Sequence, residues 1–377
     1  MRGGTHVVIT TIGDGQILLD LAENARRYKR TVTVWVIADR KTPTACRRNA
    51  TRASDGDVEV RYLSPKDQDF LMRPFADFYK RLPWDSDSRR NIGYLLAYQA
   101  GCERLVLLDD DNYPLDDEDF IGEHERVGEP YAIMANVDDS GYYNYLAGHA
   151  MWPRGYPYSA RIGPAGRSIA AIGTIGANLG VWTRDPDLDA VGWLGGIAPI
   201  ERWRGLPVYL AHGTWTPINS QNTCLHRELV PAAMYVVQRY PGVEIMERYG
   251  DIFAGYFLQA VMGEGCLVRI GSPLVEHRRN SHNHLADLCQ EAPAIAILEW
   301  LLPKLRSFRP DRAAVVAVRY LQLADYLRRL SREKLPGSLP SQSGDWLSET
   351  SFTMELYAKA CLEINRQSRE KLPGILA

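Results

Sequence analysis

The sequence predicts an α/β protein: a mostly parallel sheet flanked by helices, followed by a helical C-terminal extension. Three observations carry that expectation. Short β-branched runs alternate with amphipathic stretches over roughly the first 110 residues, the pattern of strand–helix–strand units. The fourth apolar run, Arg104–Leu108, leads straight into three aspartates. From about Ala292 onward, apolar residues recur at helical rather than strand spacing.

Taken in order, His6–Thr11 (HVVITT) reads as a buried strand, Gly13-Asp14-Gly15 as a turn and Ile17–Tyr28 as a helix. Thr31–Ala38 (TVTVWVIA), ending at Asp39, is the second strand and Asp57–Leu63 the third. Arg89–Ala100 is helical, and Arg104–Leu108 is the fourth strand. Ligands of such sheets gather beyond the carboxyl ends of the strands, where this order puts Thr10, Thr11, Asp39 and Asp109–Asp111. The stretch from Tyr142 to Thr223 is rich in Gly, Pro, Trp and Tyr, and is expected to be loops and short strands shaping a pocket. A helix at Asp251–Met262 and a strand near Leu267–Ile270 follow. Helices are then predicted at Ala294–Leu305, Arg312–Leu330 and Glu349–Arg366. The heptapeptide SREKLPG occurs at Ser331–Gly337 and again at Ser368–Gly374, each copy closing a helix with Pro and Gly. The expected division is a ligand-binding domain over 1–307 and a helical extension over 308–377 that supports structure or self-association as a homo-oligomer.

Composition narrows the function classes. Of 377 residues, 45% are hydrophobic and 24% charged, ordinary for a folded water-soluble protein. A net charge of −2 supplies no basic field for nucleic acid or an anionic membrane. The six cysteines are scattered without a CxxC pair, which argues against a zinc site or a disulfide scaffold. No signal peptide and no membrane span of about 18 apolar residues is legible, so a cytoplasmic protein is expected.

Four segments could carry chemistry. Asp109-Asp110-Asp111 places three carboxylates at a strand end, where they repel one another unless a cation or donors offset them. Mn²⁺ or Mg²⁺ takes one or two carboxylates and completes its shell with water and diphosphate oxygens. A solvated acidic loop is the alternative, since Asp116, Asp117, Glu118 and Asp119 follow. Trp152–Arg161 sets Arg154 and Arg161 among aromatics, which suits a diphosphate or sugar and equally a surface loop. Asp251 opens an apolar helix, as a cap or as a base or acceptor-orienting group. His277 follows a short apolar run and could complete a metal shell; His282 and His284 read as loop residues.

Together these segments resemble the reversibly glycosylated polypeptides of plants, the UDP-arabinopyranose mutases, from Val7 to about Leu305. The resemblance rests on Asp109–Asp111, on Arg154-Gly155-Tyr156-Pro157-Tyr158-Ser159 with Arg161, and on Asn222–Leu229. Arg248–Gly255 and Gly271–His277 extend it. Gly250 stands where the family has an acid, and so does His226. The resemblance implies a GT-A fold, a divalent metal and a UDP-sugar, and marks Arg154 as the counterpart of the family's reversibly glycosylated arginine. On this reading Asp109 and Asp111, supported by Asp110, hold metal and nucleotide, with His277 as a third metal ligand. Asp39 reaches the base, Arg89 and Arg90 the phosphate or ribose, and Arg154 and Arg161 the diphosphate or sugar. Thr10, Thr11 and Asn222 join the substrate site, and Asp251 is the catalytic candidate. The expected activity is transfer of a nucleotide-activated sugar to a small-molecule or peptidic acceptor. A pyranose/furanose mutase and a non-catalytic nucleotide-sugar-binding subunit are the alternatives.

Overall fold

The computed structural model describes residues 4–161, 166–203 and 205–370. Its first half runs β1 (Thr5–Thr11), α1 (Gln16–Arg27), β2 (Val32–Ala38), α2 (Thr44–Ala53), β3 (Val58–Leu63), α3 (Pro65–Leu71), α4 (Ala76–Tyr79), α5 (Arg90–Gln99) and β4 (Arg104–Asp109). The middle comprises β5 (Asn112–Pro114), α6 (Phe120–His124), β6 (Pro130–Val137), β7 (Arg167–Arg184), α7 (Ala190–Leu194), β8 (Val208–Leu210) and β9 (Asn222–His226). The remainder is β10 (Arg239–Tyr240), β11 (Val243–Glu244), α8 (Gly250–Val261), β12 (Cys266–His277), α9 (His284–Ser307), α10 (Val316–Leu330) and α11 (Ser343–Glu370).

The α/β class is as expected: a ten-stranded sheet, order β3-β2-β1-β4-β9-β7-β6-β8-β12-β5, carries helices on its faces in a GT-A-like arrangement. Parallel pairing holds for β3, β2, β1 and β4; β9 joins β4 antiparallel. The sheet beyond is mixed, and β7, β6, β8 and β12 pair around a closed circuit. The Tyr142–Thr223 region differs from the expected loops and short strands, because it contains the 18-residue β7. Its apolar pattern is broken by glycines 173, 176 and 180. A Cβ at Gly180 would lie 2.2 Å from Asn222 Nδ2, and one at Gly173 would lie 2.5 Å from the Gly265 carbonyl. Those glycines permit close strand packing instead of marking turns. Helix α9 likewise starts ten residues before the expected Ala294, capped by Asn283, whose side chain accepts from the Leu285 and Ala286 amides.

Two packing features position the site. Every residue of α5 from Arg90 to Tyr98 is buried, so this helix has sheet on one side and protein on the other. A Cβ at Gly93 would fall 2.4 Å from Val8 Cγ1; the glycine lets α5 lie directly on β1 and brings Arg90 to the strand ends. On the outer side α11 covers α5, and Trp346 and Tyr357 are fully buried within the single hydrophobic core. Trp346 Nε1 donates to the Val237 carbonyl (3.2 Å) and the Tyr357 hydroxyl to that of Val230 (3.1 Å). Residues 308–370 therefore share the core of 1–307. The first SREKLPG copy follows α10, while the second lies outside the described residues from Lys371 onward.

Candidate active site

Strand ends bring the acids together. Thr10 on β1 lies in register with Asp109 on β4, and Thr11 with Ala38 on β2, one residue before Asp39. A polar cavity of about 220 Å³ opens beyond them, lined by Asp109–Asp111, Arg90, Arg154, Asp251 and His277 among others. A second lobe of about 330 Å³ contains Thr11 and Asp39 and shares Thr10, Asp87, Asp110 and Arg248 with the first.

The acids are crowded. Burial pushes the Asp109 carboxyl up to about 7, against the pull of Arg90 and with the push of Asp111. Burial likewise lifts Asp110 to about 6, opposed by its 2.5 Å hydrogen bond from the Thr11 hydroxyl. Asp111 is half-buried, yet it ends below the ordinary carboxylate range because His277 Nε2 stands 3.4 Å away. The other ring nitrogen, Nδ1, donates to the Asp185 carbonyl at 2.5 Å, which fixes the ring and points Nε2 at the acids, the usual support of a metal-ligating histidine.

Arg154 and Asp251 meet directly. The turn carrying Arg154 sits on α8 because Gly155, at φ +80°, has no Cβ to strike Ile252 Cγ2 2.3 Å away. Arg154 then donates Nε and Nη2 to Asp187 (2.7 and 3.0 Å) and Nη1 and Nη2 to Asp251 (2.9 and 2.7 Å). A further Nη1 bond reaches the Arg248 carbonyl. All five N–H groups of a guanidinium are thus engaged, in a site where Arg154 is 6% exposed. Arg90 is saturated in the same way, by the Asp87 carbonyl, Ser220, Thr10 and Asp109. Asp187 follows β7 without any sequence pattern that would single it out.

The remaining expected residues lie elsewhere. Arg89 is buried under Trp84, its guanidinium carbon 3.4 Å from the ring centroid, and donates to Gln68, Tyr79 and the Leu82 carbonyl. It lines neither lobe. Arg161 stacks on Tyr158 (3.6 Å) and pairs with Asp189 (3.2 Å), also away from both lobes. Asn222 belongs to the core: its Oδ1 accepts from His124 Nε2 (2.9 Å) and its Nδ2 donates to the Pro273 carbonyl (3.0 Å). Besides Asp187, the cavity takes in Asp87, Pro186, Ser220, Gln221, Tyr235, Arg248, Arg279 and His282, none of them assigned a site role from the sequence. His282 and Arg279 look like loop residues because they are; β12 delivers them to the cavity rim.

Comparison with known proteins adds the family. The profile of the reversibly glycosylated polypeptides matches residues 68–336. The chain belongs to that family. The match covers Asp109–Asp111, Arg154, Asp251 and His277, and runs past residue 307 through α10. Two Arabidopsis thaliana proteins, the probable glycosyltransferases STELLO2 and STELLO1, are 26% and 25% identical over 52% and 48% of this chain. Those regions are 28% and 25% of the relatives' own length, so the chain aligns with about a quarter of each. Gly250, where the family has an acid, has no room for one: a Cβ would lie 2.3 Å from Tyr235 Cε1 and 2.5 Å from the Val236 carbonyl. His226, the other departure, lines neither lobe. No helix among the described residues is long and apolar enough to cross a membrane.

Proposed function

We propose that the protein is a metal-dependent glycosyltransferase that takes a nucleotide-activated sugar, with a UDP-sugar the first candidate, and passes the sugar to a small-molecule or peptidic acceptor. The observation that carries this reading is the charge of the first lobe. Six aspartates and four arginines line it among the described residues, and three of those aspartates, Asp109–Asp111, are consecutive at one strand end, a carboxylate-rich lining that a divalent cation would suit. Among those residues no three His, Cys, Asp or Glu side chains form a ready-made metal cage. That suits Mg²⁺ or Mn²⁺, which bind through one or two carboxylates plus water and phosphate. Asp109 and Asp111 are the carboxylates for it and His277 the neighbouring nitrogen; a bound ion offsets charge on the departing diphosphate.

In the second lobe Asp39, whose carboxylate accepts the Arg40 and Asp85 amides, would address the nucleoside. Asp187 and Asp251 face the sugar and acceptor, oriented by Arg154. In the transfer the bond from anomeric carbon to diphosphate oxygen breaks, its electron pair leaves with the diphosphate, the acceptor oxygen takes the carbon, and the acceptor proton passes to the Asp251 carboxylate. The mutase alternative with self-glycosylation draws support from the family; the engagement of all five Arg154 donors speaks against that arginine as the acceptor. Incubation with a panel of radiolabelled nucleotide sugars, with and without EDTA, tests the proposal. Label moving to an added acceptor is expected; label recovered as an isomer of the donor indicates the mutase, and binding without turnover sinks both.

A further inference from the structure

A diphosphate needs donors that the protein has not already committed, and the arginines of the first lobe differ sharply in this respect. Arg90 and Arg154 have every N–H engaged internally, as described above. Arg279 does not. Its guanidinium lies 4.9 Å from the centroid of Trp193 and 3.7 Å from Asp287, with no side-chain hydrogen bond among the described residues, in a side chain that is 11% exposed. Arg248 gives Nε to Glu291 (2.8 Å), while its Nη1 approaches Asp287 at 3.6 Å and His282 Nδ1 at 3.4 Å, leaving Nη2 without a side-chain partner among the described residues. It borders both lobes and holds a left-handed backbone, φ +67°, which a non-glycine residue keeps only where its surroundings impose it. The Arg154 bond to its carbonyl helps impose that conformation and so aims the side chain at the junction of the lobes. His282 Nδ1 lies 3.2 Å from Asp287 beside them.

We infer that Arg279, assisted by Arg248 and His282, is the protein's own receptor for the diphosphate of the activated sugar, in the cavity that Asp109–Asp111 also line. The inference rests on the proposed use of a nucleotide-activated sugar. Stacking on Trp193 holds the guanidinium plane in place, so its donors are oriented before the ligand arrives, and a planar fork matches phosphate oxygens as an ammonium cannot. Arg248 and Arg279 approach the same carboxylate, Asp287, at 3.6 and 3.7 Å, so two guanidiniums converge beside a single acid and a bound anion would add a second counter-charge. The motif arginine Arg154 and the helix arginine Arg90 then organise carboxylates, while Arg279 and Arg248 contact the ligand.

The test is calorimetric binding of UDP, GDP, CDP and ADP in the presence of Mn²⁺, with the matching nucleosides as controls. The full-length wild type, Arg279→Met and Arg279→Lys are compared. Methionine keeps an apolar stem on Trp193, and lysine keeps the charge without the fork. The expected result is a loss of roughly ten- to a hundredfold in nucleoside diphosphate affinity for Arg279→Met, a smaller loss for Arg279→Lys, and unchanged nucleoside affinity. The ratio of diphosphate to nucleoside affinity is insensitive to global stability, so a structural role alone leaves it constant. Wild type binding a diphosphate while both variants keep that ratio overturns the inference and leaves the nucleotide-sugar proposal standing. Failure of the wild type to bind any of the four overturns the proposal, and the inference with it.

Discussion

Replacing Arg154 by methionine separates an arginine that organises the site from one that accepts the sugar. The change leaves Asp187 and Asp251, 7% and 6% exposed, without their shared counter-charge. Breaking a buried ion pair in this way costs about 3–5 kcal/mol. The cost does not double, because Asp187 keeps a 2.8 Å bond from Asn219 and Asp251 keeps the Ile252 amide at 2.9 Å. Set against a total stability of about 5–15 kcal/mol, Arg154→Met should be folded but markedly weakened, with catalysis lost. Lysine offers three N–H groups in place of five, so Arg154→Lys should lose about 2–3 kcal/mol. The pH dependence has a definite sign. Burial raises Asp187, but Arg154 outweighs it and the native carboxyl ends below its usual range. Its stabilisation is therefore present above about pH 3.9 and lost as pH falls through the native value. Without Arg154 the same carboxyl protonates at higher pH, so the gap between wild type and Arg154→Met should narrow from pH 7.5 to pH 5. Urea unfolding at the two pH values measures this, and intact-protein mass spectrometry with donor tests for sugar on Arg154. An Arg154→Met enzyme within about 0.5 kcal/mol of wild type and fully active, or a sugar attached at Arg154, would refute the reasoning.

Other expectations follow from the same geometry. EDTA should abolish turnover and Mn²⁺ or Mg²⁺ restore it, while Asp111→Asn should lose metal-dependent nucleotide binding without unfolding; full activity in either case removes the metal from the proposal. His124 is fully buried between Asn222 and Asn178, and burial depresses its pKa to about 3. Its imidazole should stay neutral in NMR titration through pH 5, and the stability tied to it should decline as pH falls from about 6.5 toward 3, where the unfolded chain protonates first; a midpoint near 6.5 contradicts this. Truncation after Phe308 removes Tyr320, Trp346 and Tyr357, each fully buried and worth about 1.5–3 kcal/mol. The shortened chain should aggregate or lose cooperative unfolding, and a monodisperse, cooperatively folding fragment would show the helices to be dispensable.

Much of the frame was legible because local pattern and tertiary role coincide there. The runs HVVITT, TVTVWVIA and RLVLL are strands buried on both faces, and a parallel sheet fixes where their ends, and so Thr10, Asp39 and Asp109, must gather. The pattern fails where polar residues turn inward. Asp287 and Glu291 face the site from α9, so the first turns of that helix do not look amphipathic. Glycines inside β7 allow contact with β9 and β12 while reading as turns. Nor does sequence register the lateral placement of Asp187 and Arg279, which reach the cavity from the ends of β7 and β12.

Arginine was the residue type hardest to assign, for a physical reason. Five residues, Arg89, Arg90, Arg154, Arg248 and Arg279, carry the same charge near the same strand ends, yet charge alone does not say which donors remain for a ligand. Arg89 gives its own to Gln68, Tyr79 and a carbonyl beneath Trp84; Arg90 and Arg154 give theirs to carbonyls, hydroxyls and carboxylates of the cavity wall. Such saturated guanidiniums hold acids in place against mutual repulsion, and that task needs a distinctive sequence block to build the enclosing turn, as Arg154-Gly155-Tyr156-Pro157 does. An arginine that meets ligand needs only a rim position and an aromatic surface to lie against, as Arg279 has in Trp193, 86 residues away in sequence. The Arg154–Pro157 block therefore marks the scaffold of the charge cluster, while the arginines proposed to meet the anion sit at loop positions, Arg248 just before α8 and Arg279 just after β12.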